Sequence, residues 1–145
     1  MAKEAKKKTV TAKAPKKKAV AAKATKKKTA TTKATKKTTE SVLQHHVQAL
    51  MARDLDEILK DYCEESVLCT PMGTSKGLKA LRESFKAALG MLTPESLANM
   101  KSTKQDIIGD YAYVVWTALP TIKLGSDTFH VHDGVIMLQT FVGQT

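Results

Sequence analysis

The first 39 residues contain no aromatic side chain, no Arg, Asn or Gln, no Leu, Ile or Phe, and no Met after Met1. Val10 and Val20 are the only large aliphatic residues in the segment. So little apolar surface cannot offset the entropy of ordering a chain, and the segment is expected to be disordered in isolation. Without Arg, Asn or Gln it also lacks the side chains that read base edges bidentately. The whole chain has two cysteines, Cys63 and Cys69, and no CxxC pair, which argues against a zinc ribbon and leaves two reduced thiols as the expectation. No run approaches the ~20 apolar residues of a membrane span, and no apolar stretch near Met1 reads as a secretory signal. A Walker loop, a GxGxxG turn and a nucleophile elbow are all missing, so no nucleotide cofactor is expected. His130 and His132 form an HxH pair with no third ligand at metal-binding spacing, so no metal is expected.

What the N-terminal segment does have is lysine in a ten-residue repeat: KKKTVTAKAP at 6–15, KKKAVAAKAT at 16–25 and KKKTATTKAT at 26–35. Residues 1–39 carry 15 Lys and one acid, a net +14, whereas residues 40–145 carry nine Lys+Arg against 13 Asp+Glu, a net −4. The basic pI therefore belongs to the tail. Lysines are compact point charges suited to phosphates, so Lys6, Lys7, Lys8, Lys16, Lys17 and Lys18 are candidate nucleic-acid contacts. Lys26, Lys27, Lys28, Lys36 and Lys37 extend the same series, and such binding is expected to be sequence-blind and steeply salt-dependent. The composition is similar to that of the Lys/Ala-rich tails of linker histones and bacterial histone-like proteins. A merely solvated extension, or attraction to anionic lipid, competes with that reading.

Residues 40–145 suffice for one small domain, with Thr39–Glu40 read as the linker and residues 1–39 as the tail. Ser41 with Gln44 reads as a capping box opening a helix over about 42–52, and Asp54 with Glu57 opens a second through Leu55, Ile58, Leu59 and Tyr62. A strand is expected at 66–70, closed by the Pro71-Met72-Gly73 turn, and then a helix over 78–89 stopped by Gly90. The period then changes to two, giving strands at about 97–108, 111–119, 126–132 and 135–142. Their turns are read at Gly109-Asp110, around Leu124-Gly125, and at Asp133-Gly134. Helices followed by an antiparallel meander imply an α+β fold, with three helices packed on one face of a curved sheet.

Several strings in this part, "ALMARDLD", "YCEESVLCTPMGTSKG", "GDYAYVVW" and "DTFHVHDGVI", resemble the nuclear transport factor 2-like superfamily and, within it, SnoaL-like and ketosteroid-isomerase-like bacterial members. The resemblance spans nearly all of 41–144. It implies a cone-shaped fold, a small apolar ligand held between the helices and the concave sheet face, and a homodimer through the sheet. It maps the isomerases' general base onto Thr70, and the two oxyanion donors onto His46 and Asp127. A threonine hydroxyl cannot abstract a proton near neutral pH, so isomerase chemistry lacks its base. On the resemblance, Tyr62, Leu68, Met72, Phe85 and Leu89 are pocket candidates, together with Tyr113, Val115, Phe129 and Leu138; plain core packing would account for most of them equally.

His46 and Asp127 are the pair on which two readings divide. Facing one pocket, they make a His–Asp couple able to act as acid, base or polar anchor; alternatively His46 is a satisfied interface residue and Asp127 belongs to a turn at Gly125-Ser126. Strand alternation sets Asp127, Phe129 and Val131 against His130 and His132, and Trp116 against Tyr111 and Tyr113, so neither set forms a single surface. The sequence thus reads as a dimeric, non-catalytic or ligand-binding domain with a polyanion-binding tail, cytoplasmic and, in a bacterium, nucleoid-associated. The alternative is an isomerase or cyclase acting on a small apolar substrate.

Overall fold

The computed structural model describes residues 37–145. The decamer repeats, Lys6 to Lys36 and the expected disorder lie outside the described residues, and of the tail lysines only Lys37 is included, exposed. Helix α1 runs Thr39–Ala52, so it begins a turn before the expected start, and Thr39–Glu40 is helix rather than linker. The cap is Thr38, not Ser41: Thr38 Oγ1 accepts from the Ser41 amide at 3.2 Å, and Ser41 Oγ accepts from the Thr38 amide at 2.9 Å. Thr39 Oγ1 donates to the Gly109 carbonyl at 2.9 Å, fastening this first turn to the sheet. Val42, Leu43, His46 and Ala49 fall on the buried stripe, as a 3.6-residue period requires.

Helix α2 (Leu55–Leu59) is capped by Asp54, whose carboxylate accepts from the amides of Asp56 and Glu57. Strand β1 (Val67–Thr70) turns back through Gly73, at φ 142°, into a second short strand, β2 (Gly73–Lys76); sequence reading saw only the turn. Helix α3 (Gly77–Met91) passes through Gly90 and is capped by Leu92. The sequence reading assigns no element between Gly90 and about 97, but α4 (Pro94–Ala98) forms there, with Thr93 as cap and Pro94 in its first turn, where the missing amide hydrogen costs nothing.

Strands β3 (Met100–Ile108), β4 (Tyr111–Ala118), β5 (Ile122–His132) and β6 (Val135–Gln144) complete the chain. Asp133 (φ 49°) and Gly134 (φ 77°) make the tight β5–β6 hairpin, the left-handed pair that such a turn requires. The β4–β5 turn lies at 119–121, before the expected Leu124-Gly125. Gly125 serves packing instead: it pairs with Trp116 across the strands, and a Cβ there would lie 2.6 Å from the indole.

The six strands form one curved, open sheet in the order β2-β1-β6-β5-β4-β3, antiparallel except where β1 joins β6. The architecture is α+β. Register sorts the side chains into two faces. Ala112, Val114, Trp116, Asp127, Phe129 and Gln139 point toward the helices. Tyr111, Tyr113, Val115, Thr128, His130 and Leu138 point away from them. The main core joins Val42, Ile58, Leu81, Phe85, Phe129 and Ile136, and a smaller cluster under α4 joins Leu92, Leu97, Ala118 and Ile122, with Trp116 packed against both. Among the described residues no helix is long and apolar enough to cross a membrane.

Candidate functional site

Two polar groups stand in the wall between helices and sheet. His46, on the third turn of α1, is 1% exposed, and Asp127, in the middle of β5 rather than in a turn, is 5% exposed. Each is there because its element's buried stripe passes through it. Their surroundings differ in kind.

Asp127 is fully engaged by its own protein. Its Oδ2 accepts from Trp116 Nε1 at 2.5 Å and its Oδ1 from Gln139 Nε2 at 2.7 Å, and the Gln139 carbonyl in turn accepts from the Tyr62 hydroxyl. Burial pushes the Asp127 carboxyl up from its usual value, while the hydrogen bonds from Gln139 and Trp116 and the His46 imidazole pull the other way without cancelling it. Burial likewise drives Tyr62 well above the ordinary phenol range, helped by the charges of Asp127 and Asp61. The line Tyr62–Gln139–Asp127–Trp116 is a closed polar network, each member satisfied by the next.

His46 has the opposite condition. Tyr62, Phe85 and Phe129 close on its ring edge-to-face at centroid distances of 5.6, 5.7 and 5.9 Å, and neither ring nitrogen has a hydrogen-bond partner. The nearest charge is the Asp61 carboxylate, 3.7 Å from Nδ1, which is beyond hydrogen-bond reach. Asp61 is itself wholly buried and held by His45, whose Nδ1 meets both carboxylate oxygens at 2.8 and 2.9 Å. His45 is therefore held between two carboxylates, with Nδ1 on Asp61 and Nε2 facing Glu57 at 3.4 Å.

The remaining sequence candidates separate. Tyr62, Leu68, Phe85, Leu89 and Phe129 are buried in the core beside His46. Met72 is 96% exposed at the β1–β2 hairpin tip, so it lines no interior surface. Tyr113, Val115 and Leu138 belong to the sheet face opposite Phe129, because alternation carries them outward; they are corrected from pocket to outer-face residues. Thr70 ends β1, and its hydroxyl closes the hairpin, accepting from the Met72 amide and donating to the Gly73 carbonyl. Neither of these bonds reaches His46 or Asp127. His130 stacks on Tyr111 at 4.7 Å on the outer face, His132 lies beside Asp110 and Asp133, and no metal-holding cluster occurs among the described residues.

Sequence reading missed Gln139, Trp116 as a donor, and Asp61. The signal for Gln139 was a carboxamide inside the largely apolar run VIMLQTFV. A crevice of about 340 Å³ opens between the start of α1 and the turns at Gly109-Asp110 and Asp133-Gly134, and does not reach His46 or Asp127.

No protein-family model matches the sequence, and no curated protein matches it significantly. Solved structures do share its fold. A SnoaL-like protein of unknown function from Burkholderia thailandensis superposes with a TM-score of 0.62 at 17% identity, over 74% of this chain and 95% of that one. A nuclear transport factor 2-like protein of unknown function from Cytophaga hutchinsonii gives 0.60 at 17% identity, over 77% and 94%. TerC, solved in co-crystals with polyporic acid, gives 0.56 at 14% identity, over 73% and 91%. At these identities the likeness is one of fold.

Proposed function

We propose that this chain is a dimeric, non-catalytic domain of the SnoaL-like fold that the Lys-rich segment holds to nucleic acid or a similar polyanion, in the cytoplasm and, in a bacterium, on the nucleoid. The observation that carries the reading is how the two acid–base candidates are used. Asp127 spends both oxygens on Trp116 and Gln139, and His46 is enclosed by three rings. Thr70, at the base position of the isomerases the sequence resembles, is occupied with its own turn. Of these three candidates, Asp127 and Thr70 are engaged by the chain's own groups and His46 is shut in by aromatic rings, so none is both unengaged and open to a substrate. The division of charge, +14 against −4, supports polyanion binding by the tail and not by the domain. Two tails on one dimer raise avidity through effective concentration.

A second reading, binding of a small apolar ligand with or without turnover, is favoured by one feature: an imidazole with no partner for either nitrogen, which a ligand reaching it would satisfy. TerC, which shares this fold, was co-crystallised with polyporic acid.

The deciding experiment titrates the full chain with duplexes of unrelated sequence across a salt series, beside a variant whose eleven clustered lysines, Lys6–Lys8, Lys16–Lys18, Lys26–Lys28, Lys36 and Lys37, are glutamine. Equal affinity for all duplexes is expected. With about six phosphates neutralised, the slope of log affinity against log salt is about −5, and the variant loses both slope and affinity. An unchanged variant overturns the proposal.

A further inference from the structure

Charge alone does not account for how the lysines that lead up to α1 are spaced. All 15 of them fall on two interleaved series with one ten-residue period: triads centred on Lys7, Lys17 and Lys27, with the pair Lys36 and Lys37 in the fourth place, and single lysines at Lys3, Lys13, Lys23 and Lys33. Each period is divided unequally, six residues from a triad centre to the next single lysine and four from there to the next triad. The structure shows where the series stops. A complete fourth triad would put a lysine at 38, but Thr38 is the cap of α1, its hydroxyl accepting from the Ser41 amide, and lysine has no acceptor with which to cap a helix. Lys37 is exposed and lies against the β5–β6 turn, so close that a Cβ on Gly134 would stand 2.9 Å from its own. Asp110 and Asp133 line the same crevice, and the domain beyond carries a net −4. The run of positive charge ends at Lys37.

We propose that this spacing is matched to the two phosphate strands of B-form DNA: drawn out along the duplex axis, the tail meets a strand at each triad and at each single lysine, twice per helical turn. The inference rests on the polyanion reading above and adds to it the partner, double-stranded DNA, and the path the tail takes. An extended chain advances ~3.2–3.4 Å per residue, so ten residues cover ~33 Å, and one duplex turn of about 10–10.5 base pairs covers about 34–36 Å. Residue and base step keep pace. A line drawn down the outside of the duplex crosses a strand twice per turn at unequal intervals, because the major groove, ~12 Å wide, is about twice the width of the minor, ~6 Å. Six extended residues reach ~20 Å and four reach ~13 Å, a long step for the wide groove and a short one for the narrow, with the phosphate groups making up the remainder of each.

Parity supports the same path. Lys3, Lys7, Lys13, Lys17, Lys23, Lys27, Lys33 and Lys37 are all odd-numbered, and in an extended chain, where side chains alternate, they share one side. A helical tail loses the match: ten residues rise only ~15 Å and leave successive triads ~80° apart around the axis. Pro15 and the Thr and Val residues between the lysines favour the extended form as well. Lysine suits such a track because a point charge on a flexible stem needs no fixed approach to a phosphate. From Lys3 to Lys37 the series spans ~110 Å, or about 33 base steps of 3.4 Å. An A-form RNA duplex, with a deep, narrow major groove and a wide, shallow minor one, does not divide its turn in this way.

The test compares full-length chains whose tails share one length and composition, on DNA and RNA duplexes of about 45 base pairs, longer than the span of the series. One variant keeps every lysine in place and shuffles the residues between them. The other regroups the 15 lysines as triads on a seven-residue period, ~23 Å extended, which puts about two of its triads between strands. The shuffled tail is expected to match the wild type, whereas the regrouped tail binds more weakly, with a slope of log affinity against log salt shallower by about 2. DNA is expected to be bound more tightly than RNA. Spin labels on Thr9→Cys and Thr29→Cys, in a chain carrying Cys63→Ala and Cys69→Ala, are expected to stand ~66 Å apart on DNA, against ~30 Å for a helix. A wild type that binds neither duplex overturns the polyanion reading itself. A regrouped tail equal to wild type in affinity and slope overturns the spacing, and a label distance near the helical value, or one that DNA leaves unchanged, overturns the extended path; in both cases charge-driven binding stands. Equal affinity for the two duplexes overturns the choice of partner.

Discussion

Replacing His46 by leucine is expected to make this protein more stable. A neutral imidazole has one donor and one acceptor, and in the folded chain neither finds a partner, whereas unfolding returns both to water. Each unsatisfied buried group costs about 1–3 kcal/mol. Against this stand the edge-to-face contacts with Tyr62, Phe85 and Phe129, worth about 0.5–1.5 kcal/mol each beyond their area. A leucine of similar volume recovers part of that through dispersion. The net expectation is a gain of about 1–2 kcal/mol. For a domain of this size, each kcal/mol raises the melting temperature by about 4–8 °C. Urea unfolding of wild type and His46→Leu, followed through Trp116 fluorescence, measures the difference, and an unchanged m-value shows that the comparison is between like states. A folded variant less stable than wild type by 1 kcal/mol or more would refute the reasoning, because it would mean that the imidazole is satisfied in solution, by a bound ligand or water, and that the second functional reading is the better one.

Two further perturbations probe the polar network. Asp127→Asn offers one acceptor where two donors converge, so it loses one hydrogen bond from Trp116 or Gln139, and its stability should lose the pH dependence that Asp127 supplies. Because the folded carboxyl is raised above the unfolded value of about 3.9, the folded state holds the proton more tightly; wild-type stability relative to the variant is then fully present below that value and is lost as pH rises through the folded pKa. Urea titrations from pH 4 to 7 that show the opposite slope would contradict this. Gly125→Ala places a methyl group 2.6 Å from the Trp116 ring, and the shift it forces should cost about 1–3 kcal/mol and move the emission of the chain's single tryptophan. Unchanged emission would show that the indole is not held as described.

The longer helices and the four-strand meander were legible because the hydrophobic period differs between about four before Gly90 and two in the later part of the chain, and the Asp133-Gly134 hairpin because its chemistry is local; β2 and α4, four and five residues long, were not. The faces of β5 were legible too: alternation alone separated Asp127 and Phe129 from His130 and His132. The same alternation on β4 places Tyr113 and Val115 with Tyr111, on the outer side, yet the resemblance drew them into the pocket list, as it drew Met72 from an exposed hairpin tip. Gln139 illustrates what sequence cannot carry. Its bond to Asp127 depends on the β5–β6 register, which pairs Phe129 with Gln139 and Asp127 with Phe141, and a slip of one residue would turn it outward. Asp61 is similar, since nothing near it in the chain announces that two histidines of α1 will flank it.

The open sheet has two free borders, β2 and β3, and each such border is a template on which strands of other molecules can add without limit. The β3 border is interrupted between Ser102 and Lys104, where the register slips and Thr103 Oγ1 bonds back to the Val115 carbonyl, and Lys101 and Lys104 set charges along it. The β2 border is four residues long and ends in Lys76. Neither invites fibre growth. Under the proposed dimeric function, borders that resist strand addition would leave a closed pair as the form of self-association, and copies gathered on one polyanion would crowd there without polymerising.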